Sequence, residues 1–300
     1  MSRQVRVFQV DAFTTQRFGG NPAGVVLDAD ALTDTEMQLL ARELNNGDSA
    51  FLLQPDADDH DLRVRFFTPR TEAAFVGHAT IAAHAVLAQL GLPPARRQKQ
   101  RSGVVNIDLE RDASGDLQIA IAQPPPVLQH APPAAALAEA LAALGISAAE
   151  LDPRAPPIIA GTGSTRLLLA LNEGATLARV QPDLSALAAL SPTIGAPGYF
   201  LYSLRPAIGN CDTEARMFCP ALGINEDPVS GNAHGMLGAY LWQQGLLPVA
   251  KSGAHFTGAQ GHHMGRAGRV RIDVHTTADK LSGVSIRGQA VVVFETRVSL

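Results

Sequence analysis

The chain has 300 residues and a formal net charge of −4, is 46% hydrophobic and 17% charged, and contains two cysteines. That composition supports sizeable cores and excludes disorder, and the one short basic cluster, Arg96, Arg97, Lys99 and Arg101, lacks interleaved aromatics and so argues against nucleic acid as a partner. The start SRQVRVFQVDAF is a charged strand pattern rather than a leader, no apolar run reaches the length of a membrane span, and Cys211 and Cys219 offer neither a disulfide framework nor a thiolate metal site, so the expectation is a cytoplasmic protein with no membrane partner and no metal.

In chain order, Val5 to Val10 reads as a strand, Thr14 to Gly24 as a turn-rich loop, and Val25 to Leu27 as a second strand. Thr33 with Glu36 forms a capping box, and Met37, Leu39, Leu40 and Leu44 give the apolar face of a helix that ends at Asn45-Asn46-Gly47. Asp48 follows, ahead of a strand from Ser49 to Leu53. Leu62 to Phe67 alternates as a strand, and a helix capped by Gly91 comes next. The cluster Arg96 to Arg101 reads as a solvated helix-to-strand connection. Val104 to Leu109 and Leu117 to Ile121 pair as a hairpin over Ser114-Gly115.

Pro124, Pro125, Pro126, Pro132 and Pro133 then interrupt regular structure and place a domain boundary, giving halves of 1–122 and 123–283. A helix over Ala134 to Leu144 opens the second half. Strands are expected at Pro157 to Ala160, Arg166 to Leu171, Tyr199 to Leu204 and Thr213 to Phe218, and again at Val270 to Val274 and Val284 to Phe294. The segment 284–300 is a candidate to complete the first half by strand exchange.

The two halves share a motif. Glu226 to Leu241, EDPVSGNAHGMLGAYL, echoes Glu72 to Leu87, EAAFVGHATIAAHAVL, with Glu72, Gly77, Ala79, Ala85 and Leu87 matching Glu226, Gly231, Ala233, Ala239 and Leu241. RFFTP at Arg65 to Pro69 precedes one copy and RMFCP at Arg216 to Pro220 the other, while Gln89, Gly91, Leu92 and Pro94 recur as Gln243, Gly245, Leu246 and Pro248. A repeat this long implies two related domains rather than a solenoid. Each copy is a polar loop whose glycine opens a helix, and a helix start presents unpaired N–H groups and partial positive charge. Two such termini facing each other would frame a cleft for a small anion.

Several residues carry both a chemical and a plain reading. His78 follows Gly77 at a helix start and occupies the repeat position of Asn232; it is a catalytic candidate or a capping residue. Asp227 is a binding or catalytic carboxylate, or a stabiliser of a helix N-terminus. Asp48 alone reads as a turn aspartate. Gly20-Asn21-Pro22-Ala23-Gly24 is turn chemistry or a loop that lets backbone approach a ligand. Gly161-Thr162-Gly163 lacks the third glycine of a dinucleotide fingerprint, and His255, His262 and His263 fit no metal spacing. Cys219 beside Pro220 reads as a buried strand-end thiol.

From end to end the chain resembles the phenazine-biosynthesis PhzF-like isomerase family, through DAFT at Asp11, GNPAGVV from Gly20, ARELNNGDSAFLL from Ala41, FTP and E-x-x-F-x-GHAT through Thr80, and EDPVSGNAHG from Glu226. The resemblance implies an α+β fold like that of diaminopimelate epimerase and proline racemase, in which two pseudo-symmetric domains each wrap a curved, mostly antiparallel sheet around a central helix, with the active site between them. It implies cofactor-independent isomerisation of a small carboxylate similar to dihydro-hydroxyanthranilate, and a homodimer. It places Asp48, His78 and Asp227 in catalysis, with Asn21, Gly77, Ser230, Gly231 and Asn232 on the substrate. Asp48 stands where the family has glutamate, keeping the carboxylate and shortening its reach, and Asn232 stands at a serine-type position. The other readings are an amino-acid racemase of the two-thiol kind, whose cysteines would occupy the two helix starts, and a carboxylate-binding homologue without turnover.

Overall fold

Side chains alternate across a strand, so a strand buried on both faces must be largely apolar, as Asn21–Val26 is, whereas a strand such as Leu62–Phe67 alternates between buried apolar residues and arginines. The computed structural model describes residues 3–162, 164–247, 249–250 and 253–300, with side chains for all but 162, 249 and 250. Gly163 of the Gly161-Thr162-Gly163 motif and Pro248, the repeat partner of Pro94, lie outside the described residues. The chain forms two units, Met1–Gln123 with Arg287–Leu300, and Pro124–Ile286.

In the first unit the strands are β1 (Gln4–Ala12), β2 (Asn21–Val26), β3 (Asp48–Leu53), β4 (Leu62–Phe67), β5 (Glu72–Ala73), β6 (Arg97–Gln100), β7 (Gly103–Arg111) and β8 (Leu117–Gln123). β1 pairs antiparallel with β2, β2 parallel with β3, β3 antiparallel with β4, β4 parallel with β6, and β6, β7 and β8 follow antiparallel. The C-terminal strand Ala290–Ser299 pairs antiparallel with β1.

Two helices use the two faces of this sheet. Phe8, Val10, Ala23, Val25, Ala50, Leu52, Val64 and Phe66 join one core with α2 (Gly77–Gln89), whereas Val7, Val26, Phe51 and Phe67 join another with α1 (Asp34–Leu44). α1 is an ordinary surface helix, started by the Thr33–Glu36 capping box and stopped at Asn45 in the left-handed conformation. α2 differs: every residue from Ala79 to Val86 is buried. A helix apolar all round needs cover on all sides, and it touches β1, β2, β3, β8 and the C-terminal strand, so the sheet curls around it.

The second unit repeats the pairing grammar. Its strands are β9 (Val127–Leu128), β10 (Ile158–Thr162), β11 (Ser164–Leu171), β12 (Gly198–Ser203), β13 (Thr213–Cys219), β14 (Ile224–Asp227), β15 (Val249–Ala250), β16 (Gly253–Gln260), β17 (Gly268–Thr277) and β18 (Lys280–Gly288); the C-terminal strand is β19. β10 pairs antiparallel with β11, β11 parallel with β12, β12 antiparallel with β13, β13 antiparallel with β14 and parallel with β16, and β16 antiparallel with β17. The buried helix is now α6 (Gly231–Gln243), lying against β10, β16 and β17. Close approach is built in, because a Cβ on Gly238 would sit 2.7 Å from Ile272 Cγ2 and 3.1 Å from Phe256 Cε1. The opposite face of the sheet packs α3 (Ala134–Leu144), α4 (Gly174–Arg179) and α5 (Leu184–Ile194).

Four expectations are corrected. Asn21 to Gly24 is strand rather than loop, because β2 begins at Asn21 and pairs with Ala12. The cluster Arg96 to Arg101 is largely strand β6, with Arg97 paired to Asp61 and Lys99 to Asp56. The single strand expected over Val284 to Phe294 is two, β18 and β19. Finally, α4, α5 and β16 had no counterpart among the predicted elements.

Both central helices carry buried histidines. Burial pushes His78, His84 and His234 down from 6.5 to about 4. The unfolded chain therefore takes up these protons first as pH falls, so stability is fully present above about pH 6.5 and declines towards pH 4. The carboxylates with lowered values, among them Asp56, Asp61 and Glu150 at about 2, lose their contribution only below the ordinary carboxylate range. Thermal unfolding followed by circular dichroism should show a melting temperature that is level from pH 8 to 6.5 and falls steadily between 6.5 and 4.5; a level profile across that lower window would contradict the burial of neutral histidines.

Candidate active site

On the inner face of the first unit's sheet, Asp48 occupies the same side of β3 as Ala50 and Leu52, the two residues that pack towards α2. It is in register with Ala23 of β2, and Asn21, on the same face of β2 as Ala23 and Val25, is 3% exposed. α2 begins at Gly77, so His78 is its second residue. His78 Nε2 lies 3.8 Å from Asp48 Oδ2, and the two side chains are 12% and 16% exposed. That separation exceeds a hydrogen bond. Nε2 is buried and has no hydrogen-bond partner, and the imidazole, with its value pushed down to about 4 by burial, is neutral at neutral pH. A carboxylate and a neutral imidazole thus meet at a helix start where the N-cap, Val76, supplies no side-chain acceptor.

The backbone around Asp48 is fixed from two sides. Gln9 Nε2 donates to Asn46 Oδ1 and Asn46 Nδ2 donates back to Gln9 Oε1, both at 2.9 Å, which locks the turn that delivers Asp48. A Cβ on Gly24 would meet Ser49 Oγ at 2.7 Å and Leu44 Cδ1 at 2.8 Å, so only glycine lets β2 lie this close to β3. Gly20 has a φ of 55°, and a Cβ there would approach Ala12 O to 2.1 Å. Asp11, 2% exposed, ties the preceding loop down by accepting the Phe18 N–H at 2.6 Å.

On the second unit the corresponding turn is built differently. Ser230 caps α6 by accepting the Ala233 N–H at 3.3 Å, leaving its own hydroxyl proton available to donate. Gln260, 1% exposed, bridges the loop: its Oε1 accepts from Ser230 N at 3.1 Å and its Nε2 donates to Asp227 O at 2.6 Å. His234 Nδ1 donates to Ser230 O at 2.8 Å, which fixes its tautomer. Gly231 is buried, Asn232 and Asp227 are half-buried, and Asp227 closes β14 opposite Met217.

Register also identifies what replaces Asp48 in the second copy. Ser49 pairs with Phe67 and Tyr199 with Phe218, the repeat partner of Phe67, so Gly198 holds the place of Asp48. Arg166 lies across it: a Cβ on Gly198 would stand 2.5 Å from Arg166 Cδ and 2.6 Å from Cys219 Sγ. The Arg166 guanidinium donates to Ser164 Oγ and Thr165 O, each at 2.7 Å. One copy therefore carries a carboxylate where the other carries a glycine covered by an arginine.

The remaining candidates fall outside both turns. Cys219 is buried at the end of β13 and its thiol is pushed up to about 12 by burial, while Cys211 is half-buried and also raised. Neither is at the start of α2 or α6. His263 Nε2 lies 3.3 Å from Glu214 Oε1, and among the described residues no group of three or more His, Cys, Asp or Glu is arranged to hold a metal ion. No helix among the described residues is long and apolar enough to cross a membrane. Gln9, Asn46 and Gln260 are the site-building residues that the sequence did not single out, since their partners are far away in the chain.

The family model described as phenazine biosynthesis-like protein, PhzC-PhzF, matches residues 10–296. The chain is 39% identical over 96% of both chains to the uncharacterised isomerase YddE of Escherichia coli K12, and 29% identical, over 98% of this chain and 99% of the other, to trans-2,3-dihydro-3-hydroxyanthranilate isomerase of Pseudomonas aeruginosa. A PhzF-family phenazine biosynthesis protein of Bacillus anthracis superposes with a TM-score of 0.88 at 27% identity, over 99% of this chain and all (100%) of that one. At 11% identity and a TM-score of 0.63, over 100% of this chain and 94% of that one, a hydroxyproline epimerase of Agrobacterium vitis shares the fold. The fold is thus the epimerase-like one that the resemblance implied, and the chain belongs to the PhzC-PhzF family of phenazine biosynthesis-like proteins, in which the two relatives above are named isomerases.

Proposed function

We propose that the protein is an acid–base isomerase that moves a proton between carbons of a small cyclic or amino-acid-like carboxylate. The observation that carries this reading is the Asp48–His78 pair: a carboxylate on the inner sheet face, 3.8 Å from a buried imidazole nitrogen that has no hydrogen-bond partner. Asp48 removes the proton from carbon, the electron pair delocalises into the adjoining unsaturated system, and the acid so formed returns a proton to another carbon. Neutral His78 orients the substrate or relays the proton, with Nε2 as the atom free to engage it. The first-turn N–H groups at Gly77 and His78 and the Asn21 side chain hold polar substituents. On the second unit, Asp227 is assigned to orienting or shuttling, and Gly231, Asn232 and the Ser230 hydroxyl to binding a carboxylate. The substrate of the Pseudomonas aeruginosa relative, trans-2,3-dihydro-3-hydroxyanthranilate, is the first compound to assay, within a panel of cyclic carboxylates.

Loss of a positioned acid–base group costs about 100- to 10,000-fold. Asp48→Asn should lower kcat by that order on whichever compound turns over, while Asp48→Glu, which moves the carboxylate by one methylene, should shift kcat by up to about 100-fold in either direction. Steady-state kinetics decides, and an Asp48→Asn enzyme with unchanged kcat removes Asp48 from the reaction. The racemase reading makes a different demand, because a two-thiol mechanism requires cysteines at the helix starts. Cys219→Ser should leave kcat within about twofold, since a thiol held near 12 is not a thiolate at neutral pH; complete loss of activity in a folded variant would restore the thiol mechanism.

A further inference from the structure

The motifs RFFTP and RMFCP precede the two helix starts, and the proposed chemistry uses neither. Their arginines make the same contact twice. Arg65 Nε donates to Glu72 Oε1 at 2.8 Å and its NH2 to Glu72 Oε2 at 3.0 Å; Arg216 Nε donates to Glu226 Oε1 and its NH2 to Glu226 Oε2, both at 2.9 Å. Each is a two-pronged pair, the geometry in which guanidinium fixes a carboxylate's orientation as well as its position and which lysine cannot reproduce.

The remaining arm of each arginine reaches the helix that connects the two parallel strands. Arg65 NH1 donates to Asp34 Oδ1 at 2.6 Å, at the first residue of α1. Arg216 NH1 donates to Leu177 O and Val180 O, each at 2.8 Å, at the end of α4. Each guanidinium also lies over the ring two residues on, 5.1 Å from Phe67 and 4.9 Å from Phe218. One side chain thus binds its own strand, the connecting helix and the strand that leads into the central helix.

The two copies differ in length between the arginine and the glutamate, because the second inserts the single turn Pro220–Leu222. The fork is the same in both. A contact that survives a change of loop length within one chain is fixing the end of the loop, and in each copy that end is the strand carrying the glutamate, β5 or β14. Asp227 is the residue directly after Glu226 and completes β14. The pair is also well shielded, with side chains 11% and 16% exposed for Arg216 and Glu226 against 28% and 23% for Arg65 and Glu72.

We propose that the duplicated arginine–glutamate fork is the positioning device of the two helix-start turns, with Arg216 and Glu226 setting the placement of Asp227 and Arg65 and Glu72 setting the turn that delivers His78. This rests on the roles assigned above to Asp227 and His78. Arg216 and Glu226 act through Asp227 and are positioning residues rather than catalytic ones.

A double-mutant cycle with hydrogen–deuterium exchange tests it, using the full chain. Glu226→Gln keeps one acceptor oxygen and should lower kcat about tenfold with KM within about twofold; Arg216→Gln should do the same, and Arg216→Lys should not rescue it. In the Asp227→Asn background neither change should lower kcat further, because coupled residues are non-additive. Exchange should speed up for residues 224–233 and stay unchanged in β1 to β4. Kinetic effects that multiply in the double variants, or exchange at 224–233 equal to wild type, overturn the proposal. Exchange is read without substrate, so faster exchange at 224–233 together with a silent Asp227→Asn upholds the fork and counts against the assigned role of Asp227. Glu226→Gln carries the test where Arg216→Gln does not fold.

Discussion

Each unit depends on a helix that is buried on all sides. α2 is alanine-rich and buried without interruption from Ala79 to Val86, and α6 uses Gly235, Gly238 and Ala239 among its buried residues. Helices of this kind have no polar stripe to leave in water, so they are stable only where a sheet curls far enough to cover them. Small side chains set how tightly it curls. The burial has a chemical by-product: the first turn of each helix sits among apolar strands, where a histidine becomes neutral and a carboxylate on a neighbouring strand meets few waters. The site chemistry is thus a consequence of the packing that holds the unit together.

Duplication supplies two such turns and divergence makes them unequal. His78 corresponds to Asn232 in the repeat, Ala73 to Asp227, and Asp48 to Gly198, over which Arg166 lies. The first unit therefore holds a carboxylate and a neutral imidazole. The second holds a capped turn, an aspartate at a strand end and an arginine. A scaffold with two equivalent helix starts suits symmetric two-base chemistry; these substitutions turn it into an asymmetric one with proton transfer assigned to the first unit.

Much of this was readable from the chain because it is written locally or twice. The capping box at Thr33, the alternation of Leu62 to Phe67 and the paired motifs at Glu72 and Glu226 all express themselves within a short window. Where reading failed, context overrode local signals. Asn21-Pro22 carries turn chemistry, yet it starts β2, where the missing proline N–H is tolerated because pairing with β3 begins only at Ala23. β16 contains two glycines and is a strand because β13 and β17 flank it. α5 ends over Pro192, which hides its helical period. The amide pair Gln9–Asn46 and the Gln260 bridge join residues distant in sequence, and no spacing announces them. The residues alone read Asp48 as a turn aspartate; the family resemblance made it a catalytic candidate, and strand parity puts it on the α2 side.

The central claim is that Asp48 carries the proton, and isotope exchange tests it most directly. A cyclic carboxylate that binds the protein is held with it in deuterium oxide and followed by NMR. The account predicts that the wild-type enzyme introduces deuterium at the carbon that gains the proton, and that Asp48→Asn binds the same compound but introduces none. Equal deuterium incorporation by wild type and Asp48→Asn would contradict it.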